Sequence, residues 1–109
     1  MQEVIIHPEF YPGNLDNDLA LLKLESPVDI NLPHISPACV PEEYENFAGH
    51  RCWVTGWGKD AFGSIGSYKS TLKKVDLPIL GHDECEKILQ QTRLGPYYQL
   101  HHGFLCAGG

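Results

Sequence analysis

Four prolines between residues 27 and 49 constrain the fold of this 109-residue chain more than any other feature. Proline fixes its own φ angle and has no backbone N–H, so it interrupts helices and is excluded from central strands. The spacing of these four leaves no room for either element. We therefore predict an extended linker that crosses from one folded unit to another. The four residues are Pro27, Pro33, Pro37 and Pro41.

Short apolar runs on both sides of this linker predict β-strands. They are rich in β-branched, aromatic and leucine side chains, and most are bounded by Pro, Gly or Asp, which favours strands over helices. A Gly/Ser loop, Lys59–Ser67, separates two of the runs in the second half. The predicted strands are Glu3–His7, Leu19–Leu24, Cys52–Gly58, Leu72–Leu80 and Phe104–Ala107.

One segment predicts a helix. A shared face at the helical spacing i, i+3, i+4 and i+7 is formed by Cys85, Ile88, Leu89 and Thr92. We expect His82 or Asp83 to cap the N-terminus, where a side-chain acceptor satisfies free amide groups. We expect Gly95-Pro96 to end the helix.

Composition excludes several classes of function. A formal net charge of −6 and a pI near 5.4 argue against nucleic-acid binding, which needs a basic face. No apolar run approaches the ~20 residues of a membrane span. The first ten residues, MQEVIIHPEF, lack the basic and apolar regions of a signal peptide, so none is expected within this chain.

The chain has four cysteines, none in a CxxC pair, so zinc and thioredoxin-like sites are weakly supported. An even count in a chain rich in Gly and Pro suits disulfides in an oxidising compartment. Four cysteines allow three pairings, and their spacing does not choose among them. They are Cys39, Cys52, Cys85 and Cys106.

The turn Asn14–Asp18 (NLDND) precedes the second predicted strand. Its side-chain oxygens can bond nearby backbone amides, so a simple turn explains it. The spacing from Asn14 to Glu25 also partly matches an EF-hand loop, but Leu19 stands where that loop needs Gly. We therefore expect no metal site and no bound cofactor.

Five segments resemble the trypsin/chymotrypsin family of serine endopeptidases, in the order and spacing of that family. The resemblance implies an all-β fold, the chymotrypsin-like double six-stranded β-barrel. Residues 1–27 would end the first barrel, 28–50 would link the barrels, and 51–109 would begin the second barrel with one intermediate helix. The segments are IIHPEFY (Ile5–Tyr11), NDLALLKL (Asn17–Leu24), ACVP (Ala38–Pro41), CWVTGWG (Cys52–Gly58) and FLCAGG (Phe104–Gly109).

A narrower resemblance is to arthropod clip-domain serine protease homologues of the prophenoloxidase-activating factor type. Many of these have Gly in place of the nucleophilic Ser and act as secreted cofactors in melanisation. The resemblance implies an extracellular protein whose partners are prophenoloxidase or its activating protease. An active trypsin-like endopeptidase is the alternative. The segments are WGKDAFG (Trp57–Gly63), LKKVDLPIL (Leu72–Leu80), TRLG (Thr92–Gly95) and the run Tyr97–Phe104.

The family resemblance also assigns residues. Asp18 falls at the position of the catalytic aspartate, which orients the His of the triad, and we expect it to be buried at the start of its strand. Leu15 falls at a position whose side chain lines a substrate subsite in that family. The 109 residues contain neither an xAAHC-type segment nor GDSGG, so they lack the triad His and Ser. We expect no hydrolytic activity from this chain alone.

The same resemblance implies a disulfide pattern. Cys85 would pair with Cys106, closing a loop of about 20 residues. Cys52 would pair with a cysteine downstream of this chain, and Cys39 with one upstream. A bond between Cys39 and Cys52 is the alternative.

Overall fold

Strands predominate in the computed structural model, which describes residues 1–109. The prediction of an all-β fold is confirmed, and the strands are consistent with part of a chymotrypsin-like β-barrel. The elements are β1 (Glu3–Ile6), β2 (Ala20–Lys23), β3 (Arg51–Gly56), a 3₁₀ turn (Gly63–Ile65), β4 (Lys73–Leu80), α1 (His82–Gln90) and β5 (Cys106–Ala107).

The chain divides into two units. Residues 1–46 and 101–104 form the first, and residues 47–100 and 105–109 form the second. No helix or strand lies between Lys23 and Arg51, as the prolines predict. No helix in the structure has the length and apolar character needed to cross a membrane.

In the first unit, β1 and β2 form an antiparallel hairpin. Glu3 pairs with Lys23 and Ile6 with Ala20. The ladder continues past the last pair, because the His7 amide donates to the Leu19 carbonyl at 3.0 Å. Every residue of both strands is exposed, so this sheet has no covered face. Isolated two-stranded hairpins are marginally stable in water.

In the second unit, β4 lies between β3 and β5 in an antiparallel sheet. Val54 pairs with Val75, and Ile79 pairs with Ala107. β5 is shorter than predicted because Phe104 closes a turn instead, its amide donating to the His101 carbonyl at 3.1 Å.

The helix differs from prediction at both ends. Gly81 is the N-cap residue and no side chain bonds the first amides, so the expected cap by His82 or Asp83 is wrong. Asp83 still lies in the first turn, where a carboxylate complements the helix dipole. The helix ends at Gln90, earlier than expected, because the Thr92 amide and hydroxyl both donate to the Leu89 carbonyl.

The buried core is small and belongs to the second unit. Ile79, Cys85 and Leu100 are the only hydrophobic residues with 5–6% exposure. The chain exposes 9746 Å², against about 6,000 Å² expected for a compact domain of this mass. Most apolar side chains of the strands therefore remain in contact with solvent.

Candidate functional site

The turn before β2 is fixed by its own polar side chains. The Asp16 amide donates to Asn14 Oδ1 at 3.0 Å, and Asn14 Nδ2 donates to Asp16 Oδ2 at 2.9 Å. The backbone closes around them, with the Tyr11 amide donating to the Asp16 carbonyl at 3.0 Å. Leu15 and Asn17 adopt the left-handed conformation, with φ of 64° and 56°. The simple turn predicted for NLDND is present.

Asp18 follows this turn directly and precedes β2. Its carboxylate is exposed, so the expectation that it is buried is wrong in this structure. The reason is that every residue of β2 is exposed, so no second layer covers the start of this strand. Asp18 forms no hydrogen bond or ion pair here, and its role as the orienting aspartate stays a prediction.

Leu15 lies at the tip of the same turn and is half exposed. A left-handed leucine is uncommon, and the Leu15 amide holds it in place by donating to the Tyr11 carbonyl at 2.9 Å. The structure thus places Leu15 and Asp18 on one short segment. A subsite role for Leu15 stays a prediction.

Residues 101–104 lie beside this turn, an arrangement that the sequence did not indicate. A Cβ atom built on Gly103 would lie 3.5 Å from Asn17 Oδ1 and 3.0 Å from His101 Nδ1. A side chain at this position would therefore crowd the His101 ring and touch Asn17. The Gly103 amide donates to His101 Nδ1 at 2.9 Å, and Asn17 Nδ2 donates to the Glu9 carbonyl at 3.0 Å.

Helix α1 holds the segment before residue 101 through three polar side chains. His82 Nε2 donates to the Leu100 carbonyl at 2.8 Å, and Glu86 Oε2 accepts from the Leu100 amide at 2.9 Å. Gln90 Nε2 donates to the Tyr98 carbonyl at 2.9 Å. These three lie at i, i+4 and i+8 on one helix face, a polar periodicity that sequence reasoning missed.

The structure joins Cys85 of α1 to Cys106 of β5 by a disulfide, the pair that the family resemblance implied. Cys39 is exposed and Cys52 is half-buried, and neither is bonded to another cysteine. The disulfide connects the helix to the edge of the sheet, beside the small core.

A loop between β3 and β4 is closed by one carboxylate. The Ser67 amide donates to Asp60 Oδ1 at 2.9 Å, and Lys69 Nζ lies 3.0 Å from Asp60 Oδ2. The Asp60 amide donates in turn to the Ser67 carbonyl at 3.1 Å. The Ser67 amide, and secondly the Lys69 ammonium, lower the pKa of the Asp60 carboxyl below its ordinary value.

This geometry predicts a pH-dependent loop. A carboxyl group whose pKa is lowered by folding contributes stability above its ordinary pKa near 3.8. That contribution is lost as the pH falls through the lower, folded-state value. In the full-length protein at neutral pH we expect Asp60→Ala to lower the hydrogen-exchange protection of the Ser67 amide a few-fold. We expect wild type to approach the variant as the pH drops below 4.

The matched control is Asp76→Ala. The Arg51 guanidinium lowers the pKa of Asp76, which lies in β4 and outside the loop. This variant should leave Ser67 protection unchanged at every pH. Equal protection of Ser67 in wild type and Asp60→Ala would contradict the prediction.

Comparison with known proteins adds a family and named relatives. The trypsin family model matches residues 1–109. Phenoloxidase-activating factor 2 of Galleria mellonella is 45% identical over 105 residues, 95% of this chain and 34% of that protein. Two Anopheles gambiae proteins, named inactive CLIP domain-containing serine proteases A28 and A8, are 43% and 42% identical.

Those alignments cover 98% and 97% of this chain, but only 27% and 28% of the relatives. The chain thus spans about a third or less of the length of the relatives that it matches. The similarity concerns one stretch of each relative and nearly the whole of this chain.

Proposed function

Because this chain belongs to the trypsin family, we propose that it is a stretch of the protease domain of a secreted clip-domain homologue without catalytic activity. Such a protein would act as a cofactor in an extracellular proteolytic cascade of innate immunity. Its partners would be other proteins of the cascade, prophenoloxidase or the protease that activates it. The alternative is a stretch of an active trypsin-like endopeptidase.

The observation that carries the proposal is the identity of 42–45% to relatives whose names state either phenoloxidase activation or inactivity. It is supported by segments that resemble the homologues, including Trp57–Gly63 and Thr92–Gly95. Extracellular localisation is supported by the disulfide, since such bonds persist in oxidising compartments.

In this proposal Asp18 is the retained orienting aspartate of a triad that does not operate. Such a carboxylate holds the catalytic His in one tautomer and stabilises the imidazolium that forms when Ser is deprotonated. Without His or Ser, turnover in such triads falls about 10⁶-fold. Asp18 would then have no catalytic role, and Leu15, three residues before it, would lie at the former subsite wall.

We also propose the arrangement of the rest of the domain. Residues 1–27 would complete the first barrel, 28–50 would link the barrels and 51–109 would begin the second. Cys52 would pair with a cysteine downstream and Cys39 with one upstream of this chain. The exposed strand faces support this arrangement, because apolar faces of sheets are ordinarily covered.

The intact NDLALLKL motif with its aspartate does not discriminate between the two candidates, because a non-catalytic homologue can also keep Asp18. The two candidates differ in whether the protein carries a nucleophilic serine, so an active-site label separates them.

We expect no labelling of the full-length, proteolytically activated protein by a fluorophosphonate, because the reagent requires an activated serine. An active trypsin-like protease, treated in parallel, is the positive control. In the same preparation, Asp18→Asn should leave stimulation of phenoloxidase activity unchanged.

Labelling of the active site would refute the non-catalytic proposal. In that case Asp18→Asn should lower kcat by about 10⁴-fold, the loss seen when a triad His adopts the wrong tautomer. If that variant kept full activity, Asp18 would not be the aspartate of the triad.

A further inference from the structure

We propose that residues 59–69, together with Lys73 and Lys74 at the start of β4, form a docking site for an acidic segment of a partner protein. We call this surface the lysine loop. The inference adds a contact surface to the proposed function and does not depend on whether the protein keeps a nucleophile.

Positive charge is concentrated at this surface. The chain has eight Lys and Arg residues and a net charge of −6, yet four of the eight lie between residues 59 and 74. Asp60 is the only acidic residue in that stretch. The local charge is therefore opposite in sign to that of the whole chain. The four are Lys59, Lys69, Lys73 and Lys74.

Three of these charges have no carboxylate partner. Lys69 is paired with Asp60 at 3.0 Å, but no carboxylate lies within 4.0 Å of the ammonium groups of Lys59, Lys73 or Lys74. An anionic partner can therefore pair with these three ammonium groups without breaking an existing ion pair.

Two of the unpaired ammonium groups are held in position by aromatic rings. Lys59 Nζ lies 5.4 Å from the centroid of Tyr68 and donates to the Gly63 carbonyl at 3.3 Å. Lys74 Nζ lies 4.8 Å from the ring of Trp53. Cation–π contacts of this kind orient the ammonium groups before a ligand arrives, which reduces the entropic cost of binding.

The four lysines line one cavity. It has a volume of about 570 Å³ and lies between the base of the loop and the ends of β3 and β4. A ligand that suits this lysine-lined cavity carries carboxylates.

The loop also presents apolar side chains at its tip. Phe62 is 99% exposed and Ile65 is 86% exposed. The loop is nevertheless ordered by its own contacts, because the Asp60–Ser67 hydrogen bonds close its base and a Cβ atom on Gly66 would lie only 1.9 Å from the Ala61 carbonyl oxygen. Preformed loops with exposed apolar tips are typical of protein contacts.

These features favour a peptide over a polyanion. A sulfated polysaccharide would gain nothing from the exposed apolar side chains of Phe62 and Ile65. A peptide that alternates acidic and apolar residues can pair with the lysines and cover the aromatic tip at once.

The test uses the full-length protein and a fluorescent peptide that combines acidic and apolar residues, EFEDLDEF, in an anisotropy titration. We expect saturable binding that weakens several-fold when the salt is raised from about 0.1 M to about 0.5 M, because the lysines are exposed. Phe62→Ser and Lys73→Glu should each weaken binding about tenfold, the effect of losing one strong interface contact.

Matched controls lie outside the lysine loop. Tyr97 is 95% exposed and Lys87 lies on α1, so Tyr97→Ser and Lys87→Glu should leave the affinity unchanged. The lysine-substituted peptide KFKKLKKF should not bind.

Several results would overturn the inference. They are absence of peptide binding, equal binding of the acidic and basic peptides, or no effect of Phe62→Ser and Lys73→Glu. The inference would also be overturned if a heparin oligosaccharide bound more tightly than the peptide and its affinity were unchanged by Phe62→Ser. The lysines would then bind a sulfated ligand. Fluorophosphonate labelling is independent of all these outcomes, so the proposed function and the docking site can fail separately.

Discussion

Cys85→Ser should lower the free energy of unfolding of the protein that carries this chain by about 3 kcal/mol, following the chain-entropy model for a disulfide that closes a loop of about 20 residues. Cys85 and Cys106 are 21 positions apart in sequence, and their bond connects α1 to β5. Cys85 is also only 5% exposed, so the serine would place a hydroxyl group in the core. The loss should be visible in urea denaturation under non-reducing conditions.

Two further variants test whether this loss of stability comes from the Cys85–Cys106 bond. Cys106→Ser should cost about as much as Cys85→Ser, and the double variant little more than either alone, because both substitutions break the same bond. Additive losses for the two bonded cysteines would contradict the expected disulfide.

The second large effect concerns the 109 residues in isolation. We expect no cooperative thermal transition, strong binding of the dye ANS and poorly dispersed amide signals. The physical reason is the amount of apolar surface that stays in water. Only three hydrophobic residues are buried, while side chains such as Leu21, Leu22 and Trp53 are about 60% exposed.

Surface areas support the same expectation. An unfolded chain of this mass would expose about 17,700 Å², and a compact domain would bury about two-thirds of that. The 9746 Å² that remains accessible corresponds to burial of only about 45%. Conformational entropy opposes folding by a similar amount per residue in either case.

The full-length protein is the control for this experiment, because its remaining residues could cover the strand faces. It should show a cooperative transition under the same conditions. A sharp transition with well-dispersed amide signals from the isolated 109 residues would contradict the prediction.

Sequence reasoning located the strands well because their limits are set by local chemistry. Prolines exclude regular structure between Lys23 and Arg51, and β-branched or leucine-rich runs mark the strands on either side. It failed where a neighbouring segment decided the outcome. The ring of His82 bonds the Leu100 carbonyl, and Gly81 takes the cap position. Phe104 closes a turn and so shortens β5.

The candidate site also combines features that the sequence predicted with features that it did not. The NLDND turn was predictable, because Asn14 and Asp16 bond within the segment. The exposure of Asp18 was not predictable, since burial at a strand end depends on what covers the sheet. The position of Gly103 beside Asn17 joins residues far apart in sequence, and no local pattern indicates it.

The polar side chains of His82, Glu86 and Gln90 on one face of α1 affect where the chain can tolerate insertions. They fasten Tyr98 and Leu100 directly to the helix, so residues 91–97 lie in a loop whose two ends are both held by α1. Lengthening a loop by a few residues costs little entropy. Residues 91–97 are thus a place where insertions can accumulate without displacing the disulfide or the core.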